Sequence, residues 1–167
     1  RPDPALVAMK ASRLGLAAML LSIALAGPGC ATVKLNVQVG GLLVAYADMK
    51  KGRFDEAMKE VERVEQRTDL PPEVRSEAAY VKARVLEGQK KLPEAIAQYR
   101  KVLMLAPNAI DAHYNLGNAL FQVNRSQDAF EILGTVNAAA LDADTRMRFH
   151  HLYGNVLAAR DQSLGAL

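Results

Sequence analysis

Tryptophan is absent from this 167-residue chain, aromatic residues make up only 5% of it, and there is a single cysteine. One thiol cannot close a disulfide within the chain, and with no clustering of Cys and His a thiolate zinc site is excluded as well. Few aromatics beside a hydrophobic content of 50% is the Ala- and Leu-rich profile of packed helices, not of a β-sandwich, whose strands draw on aromatic and β-branched side chains. An excess of charge of one sign is missing too. The net charge is +3, and most of it falls early, where Arg1, Lys10 and Arg13 face only Asp3. Further on the signs alternate, as in Glu56, Lys59, Glu60, Glu62, Arg63, Glu65 and Arg67, which describes a solvated helix face and not a nucleic-acid patch.

Catalytic constellations are lacking as well. His113, His150 and His151 have no cysteine, paired carboxylates or H-x-x-x-H spacing beside them. No nucleophile elbow, phosphate loop or acid–base pair can be assembled. The sequence therefore points away from an enzyme, and no cofactor, metal or small-molecule substrate is expected.

The first feature that is present is a leader. Met9, Lys10, Ala11, Ser12 and Arg13 read as a short basic start, followed by an apolar run from Leu14 to Ala26 that Gly27, Pro28 and Gly29 interrupt. That run is 13 residues long, too short for a membrane-spanning helix of about 20 residues, and it reads as a signal-peptide helix. Residues 1–29 are set apart from the fold on this reading, with Met9 as the start. Two cleavage sites compete. Ala24-Leu25-Ala26 has the A-x-A form, whereas Gly29-Cys30 resembles the end of a bacterial lipobox, with Gly27 and Pro28 replacing its usual aliphatic and small residues. The isolated cysteine favours the second, which implies acylation of Cys30, residues 30–37 as anchor and linker, and, with Ala31 after the cysteine, sorting to the outer membrane facing the periplasm. The alternative is a soluble periplasmic protein.

The remaining residues, 38–167, divide into helical pairs. Ala45, Ala83 and Gly117 occupy one small-residue position, and Ala57, Ala95 and Ala129 another. Ala83 to Gly117 spans 34 residues, as does Ala95 to Ala129, while Ala57 to Ala95 spans 38. Small residues at such places let two helices cross closely. Leu86, Tyr99 and Val102, then Leu120, Leu133 and Val136, lie at helical spacing to fill the layers between hairpins. The extra four residues are expected around Thr68, Asp69, Leu70, Pro71 and Pro72, where prolines end one helix and open the next.

With Pro107 as the terminal proline, this pattern resembles the tetratricopeptide repeat (TPR) family. The resemblance implies an all-α fold, a TPR α-solenoid of antiparallel helix hairpins, with repeats at about 38–75, 76–109 and 110–143 and a partial one at 144–167. In the last, Gly154-Asn155-Val156-Leu157 echoes Gly117-Asn118-Ala119-Leu120, and Gly165 falls where a fourth second helix is expected to begin. That suggests a longer repeat protein, unless the last helix is itself the cap.

The family also implies a groove lined by the first, or A, helix of each hairpin. The residues so placed are Leu42, Tyr46 and Met49; Tyr80, Arg84 and Glu87; Tyr114, Asn115, Asn118, Phe121 and Gln122; and His151 and Asn155. Aromatics mixed with amides and an arginine suit an extended or helical peptide. Asp48 and Lys82 carry charge where the family usually packs apolar residues, and their opposite signs raise an ion pair between consecutive A helices, against the alternative that Lys82 snorkels to solvent. The function expected is a non-catalytic scaffold lipoprotein that binds a protein partner in assembly of an envelope complex, with the pilotins of type IV pilus secretins as the nearest analogy. The alternative is a soluble interaction module of a larger enzyme or envelope-remodelling protein.

Overall fold

A computed structural model describes the backbone of residues 30–165 and the side chains of 40–162. The leader and its cleavage sites lie outside the described residues. Within them the chain forms helices only: α1 Cys30–Lys50, α2 Phe54–Glu65, α3 Pro72–Gly88, α4 Leu92–Leu105, α5 Ile110–Gln122, α6 Ser126–Gly134, a 3-10 turn Ala138–Ala140 and α7 Ala143–Gly165. Consecutive helices pack as antiparallel hairpins, α1 with α2, α3 with α4 and α5 with α6, and α7 closes on α6. The A helices are thus α1, α3, α5 and α7. Residues 30–37 are helical and belong to α1.

Local chemistry explains the boundaries. Acidic residues stand in the first turns of α2 (Asp55, Glu56), α4 (Glu94) and α6 (Asp128), where they complement the positive end of the helix dipole. Pro72 opens α3 at the one helical position where a missing N–H costs nothing. Each hairpin turns by the same device. The amides of Arg53, Lys91 and Arg125 donate to the carbonyls of Asp48, Leu86 and Leu120, each at 2.9 Å, and those of Gly52, Lys90 and Asn124 to Met49, Glu87 and Phe121, each at 3.0 Å. This is a Schellman motif, which places the residue after the helix in the left-handed region. Gly52, Lys90 and Asn124 have φ of 74°, 64° and 61°.

The small positions of all three hairpins are buried: Ala45, Ala57, Ala83, Ala95 and Ala129 are 0% exposed, and Gly117 is buried beside them. A Cβ at Gly117 would sit 2.6 Å from the Leu133 side chain, so the α5–α6 crossing tolerates no larger residue without movement. Around these contacts Leu86, Tyr99, Leu116, Leu120, Leu133, Phe149 and Val156 form one continuous core through the later repeats, with Val136 packed at its margin. Leu42, Val61, Val64, Val74, Val81 and Val85 form the core of the first. Val102 is buried with Ala79 and Ala112 where α3, α4 and α5 meet.

Three local expectations change. The four additional residues of the first repeat become an extra turn within an A helix, since α3 has 17 residues and α5 has 13. Asp48 and Lys82 are each paired, but not with each other. Buried Asp48 bonds Arg53 across its own hairpin turn, and Lys82 Nζ lies 2.5 Å from Glu65 Oε2 on α2. Finally, α7 runs unbroken for 23 residues, through Arg160–Gln162 where α3 and α5 would have turned. Gly165 belongs to this same helix and does not open a new one. A column of side chains fixes that longer path: Phe149 and Tyr153 stack at 5.8 Å, Tyr153 and Phe130 of α6 at 5.7 Å, and the Arg160 guanidinium lies 4.1 Å over the Phe130 ring, a cation–π contact that holds the helix end on its neighbour.

Candidate functional site

The A helices meet one another through polar side chains. At the α1–α3 seam the Tyr46 hydroxyl donates to Glu77 Oε1 at 2.7 Å. At the α3–α5 seam Asn115 Nδ2 donates to the Tyr80 hydroxyl at 2.9 Å. Between them the Tyr99 hydroxyl, reaching across from α4, donates to Glu87 Oε2 at 2.9 Å, the Tyr80 and Tyr99 rings meet edge to face at 6.0 Å, and Arg84 Nε lies 3.3 Å from Glu87 Oε2.

Burial governs the ionisation of this network. It pushes the Tyr46 and Tyr99 phenols far above their ordinary value, reinforced by the Glu77 and Glu87 carboxylates beside them, so both stay neutral donors. Glu77 is also raised, first by burial and then by nearby Asp111, with the Tyr46 hydrogen bond opposing the rise. Arg84 is held charged: burial works against its charge, but the Tyr80 hydroxyl, Tyr99 and Glu87 outweigh it.

The expected groove residues thus fall into four groups. Leu42 leaves the set, because at 1% exposure it belongs to the first core; the small residue at Ala45 brings α1 so close to α2 that the turn before it is enclosed. Tyr46, Tyr80, Arg84, Glu87 and Asn115 are half-buried and engaged in the seams, and Met49 packs beside the first core. Tyr114 and Phe121 lay part of their rings on the later core. Asn118 is half-buried, and Gln122, His151 and Asn155 are exposed; no hydrogen bond engages the side chains of Asn118, His151 or Asn155 among the described residues.

Tyr114 and His151 come together across the α5–α7 seam. With Met147 and Arg148 they line an open concavity of about 270 Å³, in which Met147 is 65% exposed. Met147 and Arg148 were missed in the sequence, although Met147 lies one helical turn before His151 and so shares its face. Glu77 was missed as well, being the partner of a groove tyrosine and not of a repeat position.

His113 is occupied locally, its Nδ1 lying 3.0 Å from the Ala109 carbonyl. Among the described residues no group of three or more His, Cys, Asp and Glu could hold a metal ion, and no helix is long and apolar enough to cross a membrane. What the arrangement offers is a face of fixed aromatic edges, amides and one exposed thioether, with donors and acceptors free at Asn118, His151 and Asn155.

Comparison with known families agrees with this geometry. The family model described as TPR repeat matches residues 88–124, from the end of α3 through α4 and α5, and supports the TPR family for the chain. TPR repeats generally mediate protein–protein interaction and are generally non-catalytic. No curated protein matches the chain.

Proposed function

We propose that this protein is a non-catalytic scaffold lipoprotein that binds a protein partner along its A-helix face, in assembly or stability of an envelope complex such as a pilus or secretion apparatus. The observation that carries the reading is the concavity of Tyr114, Met147, Arg148 and His151, with the unbonded amide of Asn118 one helical turn after Tyr114 on α5. A peptide laid there finds an apolar anchor point and free side-chain donors and acceptors for its backbone. Anchor residues in pockets carry most of the affinity of such contacts. Seams locked by the Tyr46, Tyr80 and Tyr99 hydrogen bonds keep the face rigid, which lowers the entropy lost on binding.

The membrane part of the reading is supported by Gly29-Cys30 and the apolar run before it, since several acyl chains on one cysteine anchor stably where one does not. Affinity capture from an envelope fraction tests the groove. Asn118→Ala with His151→Ala should lose the partner, while Ala97→Ser at an exposed position of α4 should retain it; equal recovery by both would move the site elsewhere. Cys30→Ala should abolish fatty-acid labelling and release the protein from the membrane fraction. In a deletion strain, a role like that of a pilotin predicts loss of secretin multimers, and intact multimers would remove that assignment.

A further inference from the structure

The first helix has an apolar face that nothing among the described residues covers. One side of α1 is built into the fold: Leu42, Ala45 and Asp48 are buried against α2 and α3. On the other side, Leu43 and Val44 are 43% and 49% exposed, Ala47 is exposed, and a Cβ at Gly40 would meet nothing within 4 Å. Positions 40, 43, 44 and 47 recur at helical spacing and form one stripe. The helix as a whole carries charge only at Lys34, Asp48 and Lys50, and its one acid is buried and bonded to Arg53.

A helix that faces water has a polar outer surface. Helix α7 has one, with Asp144, Arg146, Arg148, His150 and Asp161 exposed. Helix α1 does not. Its stripe runs directly into Lys50 and Lys51, both exposed and neither in an ion pair among the described residues. Apolar side chains bordered by unpaired lysines, with no exposed acid on the helix, complement an apolar layer beneath anionic headgroups.

We propose that this face of α1, carrying Leu43, Val44 and Ala47 with Lys50 and Lys51 at its end, lies on an anionic lipid surface. The contact does not depend on acylation of Cys30, and it leaves the concavity at α5 and α7, at the other end of the repeat stack, open to a partner.

The single cysteine makes a direct test possible. In the full chain, Cys30→Ala removes the native thiol, and Leu43→Cys then provides one site for an environment-sensitive fluorophore; Val44→Cys is the second reporter, and Ala97→Cys on exposed α4 is the control. On adding vesicles of phosphatidylglycerol and phosphatidylethanolamine, emission from positions 43 and 44 should shift to the blue and brighten, while position 97 stays unchanged. Phosphatidylcholine vesicles should give a smaller shift, and Lys50→Glu with Lys51→Glu should reduce the shift on the anionic ones.

No shift at 43 and 44, or an equal shift on neutral vesicles, overturns the proposal. So does emission already blue before lipid is added: if it reddens on dilution a second copy covers the face, and if it does not another part of this chain does. Because the tether is removed and the groove untouched, failure here leaves the partner-binding reading standing on its own variants.

Discussion

Lys82 on α3 places its ammonium 2.5 Å from Glu65 Oε2 on α2, and Lys101 of α4 approaches the same carboxylate at 3.4 Å through its other oxygen. The pair bridges the first two hairpins. Both side chains of the closer contact are about four-fifths shielded, at 23% and 21% exposure, so screening by water and salt is weaker than for a surface pair. Truncating either partner leaves the other charge incompletely solvated.

A double-mutant cycle on Lys82→Met and Glu65→Gln should therefore give a coupling energy on the order of 1 kcal/mol in urea unfolding. The matching cycle on Lys82→Met and Asp48→Asn should give none, because Asp48 is committed to Arg53. Coupling in the second cycle and none in the first would reverse the assignment.

The left-handed residue of each hairpin turn supplies a second prediction. Gly52 meets the backbone demand at no steric cost, Asn124 at little, and Lys90 with φ of 64° at the full penalty of a Cβ-bearing side chain. Lys90→Gly should stabilise the protein by about 0.5–1 kcal/mol, the relief exceeding the added freedom of the unfolded chain. Gly52→Ala should destabilise it by about 1 kcal/mol. Thermal unfolding checks both.

These turns also show how far the fold was legible in the sequence. The positions of Ala45, Ala57, Ala83, Ala95, Gly117 and Ala129 carried the register, because close helix crossing admits only small residues and so writes itself into composition. Gly52, Lys90 and Asn124 repeat at the same spacings of 38 and 34 residues, but with three different residue types the turn left no common letter to read. Charged partners were the least legible. Asp48 and Lys82 were recognisable as unusual, yet which oppositely charged group each long side chain reaches depends on where α2 lies, and periodicity does not give that. The groove was legible as a face, since helical spacing defines one. Leu42 fell out of it and Met147 and Arg148 entered because the depth of a position depends on how tightly the neighbouring helix sits.

Gly117 allows the crossing distance itself to be tested. Any Cβ there meets Leu133 at 2.6 Å, at its Cγ as well as a terminal methyl, and Leu133 is 0% exposed with no open space to rotate into. Gly117→Ala should lower stability by about 1–3 kcal/mol through overpacking, outweighing the helix-propensity gain of about 1 kcal/mol. Adding Leu133→Ala should recover part of that loss, so the double variant should be more stable than the sum of the two single ones predicts.

Glu77 should make stability depend on pH in a definite direction. Its pKa in the folded state lies above the ordinary 4.5, with burial as the leading cause and Asp111 adding to it, so between those two values the folded protein binds more protons than the unfolded chain. Stability then falls as pH rises through that window, because ionising the carboxyl leaves a charge in a place poor in water. Glu77→Gln keeps an acceptor for the Tyr46 hydroxyl while removing the charge. Its stability relative to the unmutated protein should therefore increase as pH rises from 4.5, and reach a plateau once Glu77 is fully ionised in the fold. Tyr46→Phe should act oppositely. It removes the one hydrogen bond that lowers the Glu77 pKa, widening the window and costing about 1 kcal/mol at neutral pH. Urea unfolding of the three proteins across this range separates the effects, and parallel curves at every pH would show that Glu77 does not titrate as its surroundings dictate.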